Sequence, residues 1–491
     1  MFDRILQKLK LVGKKGLDIL FKPADTPLAK WLVAILLGAL FIVGLLHWGY
    51  FLNWFNNQFN IGDWHIIDGP ILIFLAKAFR SGQLPMHAVS PLIVPDRYLG
   101  RPDRSLSPQI LLLYFLDPAT YVVVNVWIFY TIGFIALLLI RRRYRLSPAS
   151  FLLLYLLFNF NGDVTAHLAV GHMDWVGYFL LPFFVLLVLK MLEGEKTGWV
   201  WVFIVALTML AVNFQGSVHI FLYCMAFLLF LAVFQPRYWA PVLKAIIASS
   251  LISMIKLLPL SIQYYGSGGV PFIYGFLSVE HLVESFIVLH PPYILDTPSS
   301  QLGGWEVDYY LGLLGFAFVA YFGVIRSWVN QKTYRALYFP MLAMTLFSLG
   351  DMYRPIFNSP IPFMDSQRAP SRFILIPVVF LIILAGIQFE SFIKDWDRER
   401  WREKSMVLFG TVFIGVDLLL HSLDWRLANI SAKVIQRFTD VIQVTVVNRP
   451  DPPYVISLII GLAVTVIALV VLAILAIRER NALRLESPPI Q

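Results

Sequence analysis

Long uncharged apolar runs recur from one end of the chain to the other, and they restrict the fold more than any other feature. Of the 491 residues, 58% are hydrophobic and only 14% are charged, whereas a soluble domain carries about 25% charged residues. A helix needs about 20 apolar residues to cross a bilayer, and runs that are continuous rather than alternating exclude a closed barrel. The candidate spans are 29–51, 118–140, 147–162, 175–192, 198–213, 217–235, 241–263, 307–325, 336–350, 372–390, 405–422 and 454–477.

The sequence therefore predicts an all-α polytopic integral membrane protein with about twelve transmembrane helices. The third, fifth and ninth runs are short, so we expect them to be tilted, half-buried or partly re-entrant. The single cysteine, Cys224, lies inside the sixth run and excludes an internal disulfide or a cysteine-built zinc site. A basic amphipathic segment at 1–28 precedes the first run, which is long enough to remain as an anchor rather than a cleaved signal peptide.

The distribution of basic residues predicts how these spans are oriented. When alternate loops are assigned to the two sides of the membrane, most of the 39 Lys and Arg residues fall on the side that also holds both termini. Basic residues concentrate on the cytoplasmic side, so we expect both termini in the cytoplasm and the protein in the cell (inner or plasma) membrane. The Arg141-Arg142-Arg143 run fits a topology anchor, and the net charge of +9 indicates contact with anionic lipid headgroups rather than nucleic acid.

The loops on the outer side are longer than the cytoplasmic turns, so the working surface is predicted to face outward. We divide the chain into an N-terminal segment, a core, a C-terminal helical part and a cytoplasmic tail. Their bounds are 1–28, 29–390 (with outer loops 52–117, 163–174, 264–306 and 351–372), 391–477 (with an outer segment at 423–453) and 478–491.

The first outer loop, 52–117, opens with the polar stretch Gly62-Asp63-Trp64-His65-Ile66-Ile67-Asp68. A carboxylate and an imidazole at the boundary between bilayer and water are typical of catalysis or ligand binding. Asp63 is accordingly a candidate catalytic residue and His65 a candidate substrate contact, with a plain surface carboxylate as the alternative for Asp63.

Asp68 has two interpretations, because it stands just before an amphipathic pattern at 70–80. It is either a second catalytic candidate or the N-cap of that helix. The pattern begins at a proline and ends with Lys77 and Arg80, as a helix does. We expect this helix to lie flat at the membrane interface with its apolar face down.

The second outer loop, 163–174, places two histidines and two aspartates within twelve residues. Same-face helical pairs are three or four residues apart, whereas His167 and His172 are five apart. Contact with a substrate is therefore favoured over metal ligation for Asp163, His167, His172 and Asp174. A divalent metal stays an alternative, and no other cofactor is predicted.

Three basic residues are candidates for binding an anionic group. Lys256 interrupts the seventh run, where it either snorkels to the interface or pairs with a phosphate; Asp417, in the eleventh run, is an alternative partner. Arg368 and Arg372 flank a proline at the mouth of the tenth run. Arginine suits bidentate phosphate binding, and interfacial anchoring is the alternative for both.

Four segments, in this order along the chain, resemble the large bacterial membrane proteins of the YfhO type, which are similar in turn to GT-C glycosyltransferases. The resemblance covers most of 29–390. The segments are the Asp63 loop, the Gly171-His172 loop, the stretch from Gly304-Trp305 to Tyr310-Leu311-Gly312 before the eighth run, and Arg368-Ala369-Pro370-Ser371-Arg372-Phe373.

The resemblance implies an inverting transfer of a sugar from a polyprenyl-phosphate donor to an acceptor on the extracytoplasmic side. It also implies that the helix at 70–80 corresponds to the family's interfacial helix. No tight acidic pair stands beside Asp63, which departs from the family's pattern. The implied base is matched here by Asp63 or Asp68, and the implied second acid by Asp163 or Asp174. The implied phosphate-binding cations are matched by Lys256, Arg368 and Arg372.

Two other functions remain open on the sequence. The first is a non-catalytic GT-C-like subunit of a larger membrane complex, since a chain with 15% aromatic residues also suits a large lipid or protein contact surface. The second is a lipid or solute transporter, although the internal repeats of that class are not seen in the loop pattern. The predicted partners are membrane lipids, the lipid-linked sugar, an unknown acceptor and other membrane subunits.

Overall fold

The computed structural model describes residues 16–22, 26–89, 97–264, 273–289, 303–359, 367–397, 399–433 and 441–486. The structure is 79% helical, which confirms the all-α class. In the described part of the chain the sheet is one antiparallel pair of two-residue strands, β1 (Ala88–Val89) and β2 (Thr445–Val446). Most of the N-terminal segment predicted at 1–28 lies outside the described residues.

The α-helices are numbered in chain order. They are α1 (16–21), α2 (Pro27–Phe51), α3 (Gly69–Arg80), α4 (Pro118–Tyr144), α5 (Pro148–Asn159), α6 (Gly162–Val170), α7 (Leu181–Leu192), α8 (Trp199–Phe214), α9 (Val218–Phe234), α10 (Trp239–Ile252), α11 (Met254–Tyr264), α12 (Val279–Ile287), α13 (Gly312–Phe318), α14 (Ser327–Asn330), α15 (Tyr338–Ser348), α16 (Gly350–Phe357), α17 (Leu375–Ile393), α18 (Trp401–Asp424), α19 (Leu427–Lys433) and α20 (Pro452–Glu486).

Shorter helical turns join or extend these helices. Two are π-helical, at Trp64–Asp68 and Val319–Arg326, and the others are 3₁₀ turns. The 3₁₀ turns are Tyr98–Gly100, Pro108–Tyr114, Met173–Leu180, Pro236–Tyr238, Gly304–Glu306, Lys332–Leu337 and Pro370–Ile374.

Seven helical segments in the described residues are long and apolar enough to cross a bilayer, and the chain is therefore a multi-pass membrane protein. An eighth is added if the bent pair α10 and α11 forms one span. The predicted total of twelve stays a prediction. The seven are Pro27–Phe51, Pro118–Tyr144, Met173–Leu192, Gly312–Asn330, Pro370–Ile393, Trp401–Ala432 and Pro452–Leu483.

The remaining apolar runs form helices that are too short to meet this length. The third and ninth runs become α5, with 12 residues, and α15, with 11. At 1.5 Å per residue, α5 is about 18 Å long, against a hydrocarbon core of about 30 Å. Ten of its twelve residues are nonetheless buried, because protein surrounds it. Both helices come from short runs that the sequence predicted to be tilted, half-buried or partly re-entrant.

The seventh run, predicted as one span at 241–263, is instead two helices that meet at an angle of 73°. The break falls at Ser253, and Lys256 lies beyond it on α11. Helix α20 passes close to the break, where a Cβ on Gly461 would lie 2.6 Å from the Met254 carbonyl oxygen. The bend turns α11 away from the direction of α10 and toward the first outer loop.

Helix α3 confirms the helix predicted at 70–80, but its apolar face is covered by protein rather than lying on the membrane surface. Eight of its twelve residues are buried, and it packs against α4 and the 3₁₀ turn Pro108–Tyr114. Lys77 Nζ donates to the Val444 carbonyl oxygen at 2.8 Å and Arg80 donates to that of Leu116 at 2.9 Å. Both basic side chains of the last turn are thus bound to neighbouring segments.

Candidate functional site

Two loops cross at the ends of the spans, and a glycine allows the crossing. Helix α6 ends at Gly171, whose φ of +107° lies in a region that side chains of L-residues rarely adopt. A Cβ at this position would lie 2.5 Å from the backbone nitrogen of Trp64. The Trp64 indole Nε1 also donates to the Ala169 carbonyl oxygen at 2.8 Å. The first and second outer loops are therefore in direct backbone contact.

This crossing joins four of the predicted residues into one chain of contacts, the Asp–His–His–Asp array (Asp63, His172, His167, Asp163). Asp63 Oδ2 lies 2.7 Å from His172 Nε2. The two histidines meet through their Nδ1 atoms at 2.6 Å, and His167 Nε2 lies 3.7 Å from Asp163 Oδ1. The five-residue spacing that argued against a His167–His172 pair does not prevent one, because the chain reverses at Gly171.

The array runs from the surface into the protein. The Asp63 side chain is 29% exposed and that of His172 is 12% exposed, whereas His167 and Asp163 are fully buried. Asp63 is thus the end that a substrate can reach. Its position immediately before the π-helical turn Trp64–Asp68 agrees with the frequent occurrence of such turns at functional sites.

Burial and mutual contact set the charges of the array. Burial raises the pKa of Asp63, but the hydrogen bond and positive charge of His172 outweigh it and lower the pKa overall. For His172 burial lowers the pKa, and Asp63 reverses this to a net increase. Burial, together with the charges on His172 and Arg372, holds the pKa of His167 well below its usual range.

At the buried end of the array, the pKa of Asp163 is raised rather than lowered. Burial raises the pKa of Asp163 to about 7, although Trp175 Nε1 donates a hydrogen bond of 2.9 Å to its Oδ2. These shifts favour an ionised Asp63, a charged His172 and a neutral His167.

An arginine–glutamate pair forms one wall beside the array. Arg372 Nε donates to Glu306 Oε2 at 2.6 Å, and a second contact makes the pair bidentate. The guanidinium also lies 4.7 Å from the Trp175 ring centroid, and the same ring stacks on His167 at 3.8 Å. The Trp305 indole donates to Glu306 Oε1 at 3.1 Å. Four separate segments of the chain therefore meet at this site.

Arg368 stands at the rim of the site. It is exposed, and its positive charge lowers the pKa of both Asp63 and Glu306. For Glu306 burial acts in the opposite direction, and Arg372 makes the larger favourable contribution. Of the two arginines predicted to bind a phosphate, Arg372 is paired with a buried carboxylate, and Arg368 is the more exposed.

Two residues predicted near Asp63 point away from the array. Asp68 is buried and forms an ion pair with Arg104, so it is not available as a rival base, and it makes no side-chain cap on α3. His65 is buried as well, with Nδ1 3.0 Å from the Phe59 carbonyl oxygen. The π-helical turn that contains both residues directs them inward.

Asp174 lies outside the array. Its charge acts on Arg104 and on Arg372, and its carbonyl oxygen accepts a hydrogen bond from the Ser217 hydroxyl. It therefore acts on these two cations rather than joining the row of contacts. Asp163 is the acid of the second loop that belongs to the array.

Lys256 pairs with a residue that the sequence did not point to. The bend at Ser253 brings it to the first outer loop, where its Nζ donates to Asp103 Oδ1 at 3.0 Å and both side chains are buried. Snorkelling is therefore wrong, and a phosphate role is not supported because the amine is already paired. Asp417 instead accepts a hydrogen bond of 2.7 Å from the Tyr310 hydroxyl.

A second buried network supports the start of α6, and the sequence did not point to it. Asp308 accepts hydrogen bonds from His421 Nε2 at 2.9 Å and from Trp425 Nε1 at 2.7 Å. Gly162 donates to the Tyr310 carbonyl oxygen at 2.9 Å, and a Cβ there would collide with Asp308. These contacts come from residues far apart in the sequence, so the only signal is Gly162 beside Asp163.

The array does not have the geometry of a metal centre. In the part of the chain that the structure describes, no three His, Cys, Asp or Glu side chains converge as a ligand set. Asp63, His172 and His167 are joined in a row at hydrogen-bond distance, which suits holding or passing a proton, whereas Asp163 lies just beyond that distance. No protein-family model, curated protein or solved structure matches the chain, so the geometry of the site carries the functional argument.

Proposed function

We propose that the protein is a membrane glycosyltransferase of the GT-C kind, which moves a sugar from a polyprenyl-phosphate donor to an acceptor hydroxyl with inversion. The observation that carries this proposal is the partly exposed Asp63 carboxylate held by His172 at the ends of the spans. The resemblance implies a base in the same loop, matched by Asp63 or Asp68. The site faces the extracytoplasmic side in this proposal, with both chain termini in the cytoplasm, as the distribution of basic residues predicts.

Asp63 acts as the general base in this reaction. The acceptor hydroxyl donates a hydrogen bond to the carboxylate, and its oxygen attacks the anomeric carbon while the bond to the lipid phosphate breaks. The hydroxyl proton passes to Asp63, and the phosphate leaves with the electron pair of the broken bond. A single displacement of this kind inverts the anomeric carbon and needs no enzyme nucleophile.

His172 has a positioning role, because it keeps Asp63 ionised. A carboxylate whose pKa is lowered is a weak base toward a resting alcohol. Its proton transfer therefore occurs late, when bond formation to carbon has made the hydroxyl acidic. The imidazolium also fixes the orientation of the carboxylate at 2.7 Å, and His167 behind it holds the imidazole ring in turn.

Arg368 is the proposed contact for the departing phosphate. It is the exposed cation at the rim, and a positive charge placed where negative charge develops stabilises the transition state. Arg372, bound by Glu306 and stacked on Trp175, positions the neighbouring loop. Lys256, which the resemblance implies as a further phosphate ligand, has no part in this mechanism.

The test is donor turnover by the purified chain in lipid nanodiscs, with a panel of polyprenyl-phosphate sugars and a membrane extract as the source of acceptors. We expect release of polyprenyl phosphate from at least one donor. Asp63→Asn should lower the rate by roughly 10²- to 10⁴-fold, the usual contribution of a general base. Asp351→Asn is the matched control, since that carboxylate is exposed and outside the site.

Each other outcome has a definite meaning. Turnover that survives Asp63→Asn in a folded protein would assign the base to another residue and contradict the mechanism. Absence of turnover with every donor, from protein that remains folded, would contradict the enzyme and favour the complex-subunit function. Uptake of a solute driven by an ion gradient would favour the transporter.

A further inference from the structure

A cavity of about 400 Å³ lies between α2 and α4, at the ends of these helices that are opposite to the Asp63 site. It is separate from the array, because α2 runs 25 residues from this end to the first outer loop. Its lining has two parts: four cations at one end and four apolar side chains. The cations are Lys30, Arg141, Arg142 and Arg145, and the apolar residues are Val33, Ala34, Leu37 and Leu146.

The α2 wall of the cavity is one continuous helix face. Lys30, Val33, Ala34 and Leu37 follow the spacing of zero, three, four and seven residues that places side chains on the same side of a helix. The face begins with an ammonium group and continues as a shallow apolar groove. Neighbouring residues such as Trp31 and Ile35 are strongly exposed, as expected for a surface that contacts acyl chains.

None of the four cations forms a salt bridge in the described residues, although the negative charge of Glu390 acts on Arg141. No carboxylate lies within salt-bridge distance of any of them, whereas the adjacent Arg143 is paired with both Glu193 and Glu195. The Nε atom of Arg141 is buried without a hydrogen-bond acceptor. Lys30 also stands in the first turn of α2, where the helix dipole favours an anion.

From this arrangement we infer that the cavity binds one anionic phospholipid, with its headgroup phosphate between Lys30 and the arginines and an acyl chain along Val33, Ala34 and Leu37. The charge of the cavity complements a phosphate, and the apolar face complements a chain that enters from the bilayer. A phosphate group satisfies guanidinium donors well. The inference is independent of the proposed sugar transfer.

The experiment uses the full chain in nanodiscs made of equal amounts of phosphatidylglycerol and phosphatidylcholine with matched acyl chains. Lipids that stay bound after extraction are identified by native mass spectrometry. We expect wild type to retain phosphatidylglycerol in preference to phosphatidylcholine. In Arg141→Gln/Arg145→Gln the preference should fall about tenfold or more, because each cation near the membrane surface contributes appreciably to binding anionic lipid.

Two further variants test whether a loss of bound lipid comes from the cavity itself rather than from reduced overall charge or from misfolding. Arg400→Gln/Arg402→Gln removes the same charge from exposed residues elsewhere and should keep the preference. Ala34→Trp fills the apolar groove from an exposed position while it leaves all four cations in place, and it should lose the bound lipid.

Several results would overturn the inference. An unchanged preference in both Arg141→Gln/Arg145→Gln and Ala34→Trp would mean that the cavity does not hold the lipid. Equal losses in Arg141→Gln/Arg145→Gln and Arg400→Gln/Arg402→Gln would indicate a diffuse effect of charge. Displacement of the bound lipid by soluble glycerol phosphate would show that the cavity selects a free phosphate group rather than a phospholipid.

Discussion

The Asp63 carboxylate and the His172 imidazole come from two loops that are 109 residues apart, and each controls the charge of the other. The residue types of the array were predictable, because two histidines and several aspartates at the ends of apolar runs have few structural roles. Their pairing was not predictable, because it depends on the reversal at Gly171 rather than on helical spacing. Glu306, which binds Arg372, was missed for the same reason.

The coupling of this pair predicts a pH-dependent contribution to stability. The pKa of Asp63 is lowered from 3.8, so its contribution is present above that value and is lost as the pH falls through the folded-state pKa. The pKa of His172 is raised from 6.5, so its contribution is present below 6.5 and is lost as the pH rises through the folded-state pKa. The pair therefore stabilises the fold most between pH 3.8 and 6.5.

We expect the difference in Tm between wild type and Asp63→Asn to be largest between pH 3.8 and 6.5 and to narrow as the pH rises through the folded-state pKa of His172. Thermal unfolding of the detergent-solubilised proteins measures it. Asp351→Asn should show a small difference that does not widen between pH 3.8 and 6.5, because Asp351 is exposed. A difference for Asp63→Asn that is constant across the range would contradict the ion pair.

At the scale of secondary-structure elements, the ends and breaks of helices decide which residues meet. The apolar runs of the sequence predicted where helices lie, and the proline, Lys77 and Arg80 predicted α3. They did not predict the bend after α10, because the run from 241 to 263 is mostly apolar and its scattered polar residues do not mark where the helix breaks. Two tertiary contacts lie at the bend, and a pattern of apolar residues does not show them. They are the buried ion pair between Lys256 and Asp103 and the close approach of α20.

The end of α6 provides a test of the loop crossing. Gly171→Ala should destabilise the protein by about 1–3 kcal/mol from backbone strain, with a further cost of about 1–3 kcal/mol from the collision with Trp64. Gly82→Ala is the matched control, since Gly82 also has a positive φ of +68° but open space around it. Equal losses of stability in both variants, measured by chemical denaturation, would argue against the backbone contact.

Helix α11 provides a second test. Lys256→Met should destabilise the protein by about 3–5 kcal/mol, because it leaves the buried Asp103 carboxylate without its cation. The double variant Lys256→Met/Asp103→Asn should recover part of that loss in the same unfolding assay. If Lys256 snorkelled to the interface, Lys256→Met would be nearly neutral, so an unchanged Tm would disprove the pair.

At the scale of the whole molecule, composition and run length were sufficient to predict a multi-pass helical membrane protein. The number of spans was less predictable, because a hydropathy pattern does not distinguish a helix that crosses lipid from a short helix enclosed by other helices. Helix α5 illustrates this, since its residues are as apolar as those of a span while protein covers nearly all of them.

The orientation predicted from the basic residues can be tested in a Cys224→Ala background, which removes the chain's single cysteine. Gln83 and Lys332 are both exposed and fall on opposite sides of the membrane in the predicted topology. We expect an impermeant maleimide to label Gln83→Cys on intact cells and Lys332→Cys only after lysis. The reverse pattern, or labelling of both on intact cells, would contradict it.

The hydrogen bonds between Ser147, just before α5, and Glu390 on α17 have a consequence for how the protein is made. These residues are 243 positions apart, so at 5–20 residues per second the ribosome needs about 10–50 seconds to reach the second after the first. Over that interval α5, which is too short to span the bilayer, is in the membrane without α17, which later covers it. Nascent chains of this protein therefore pass through a long stage in which the side of α5 that later meets α17 is not yet covered by it.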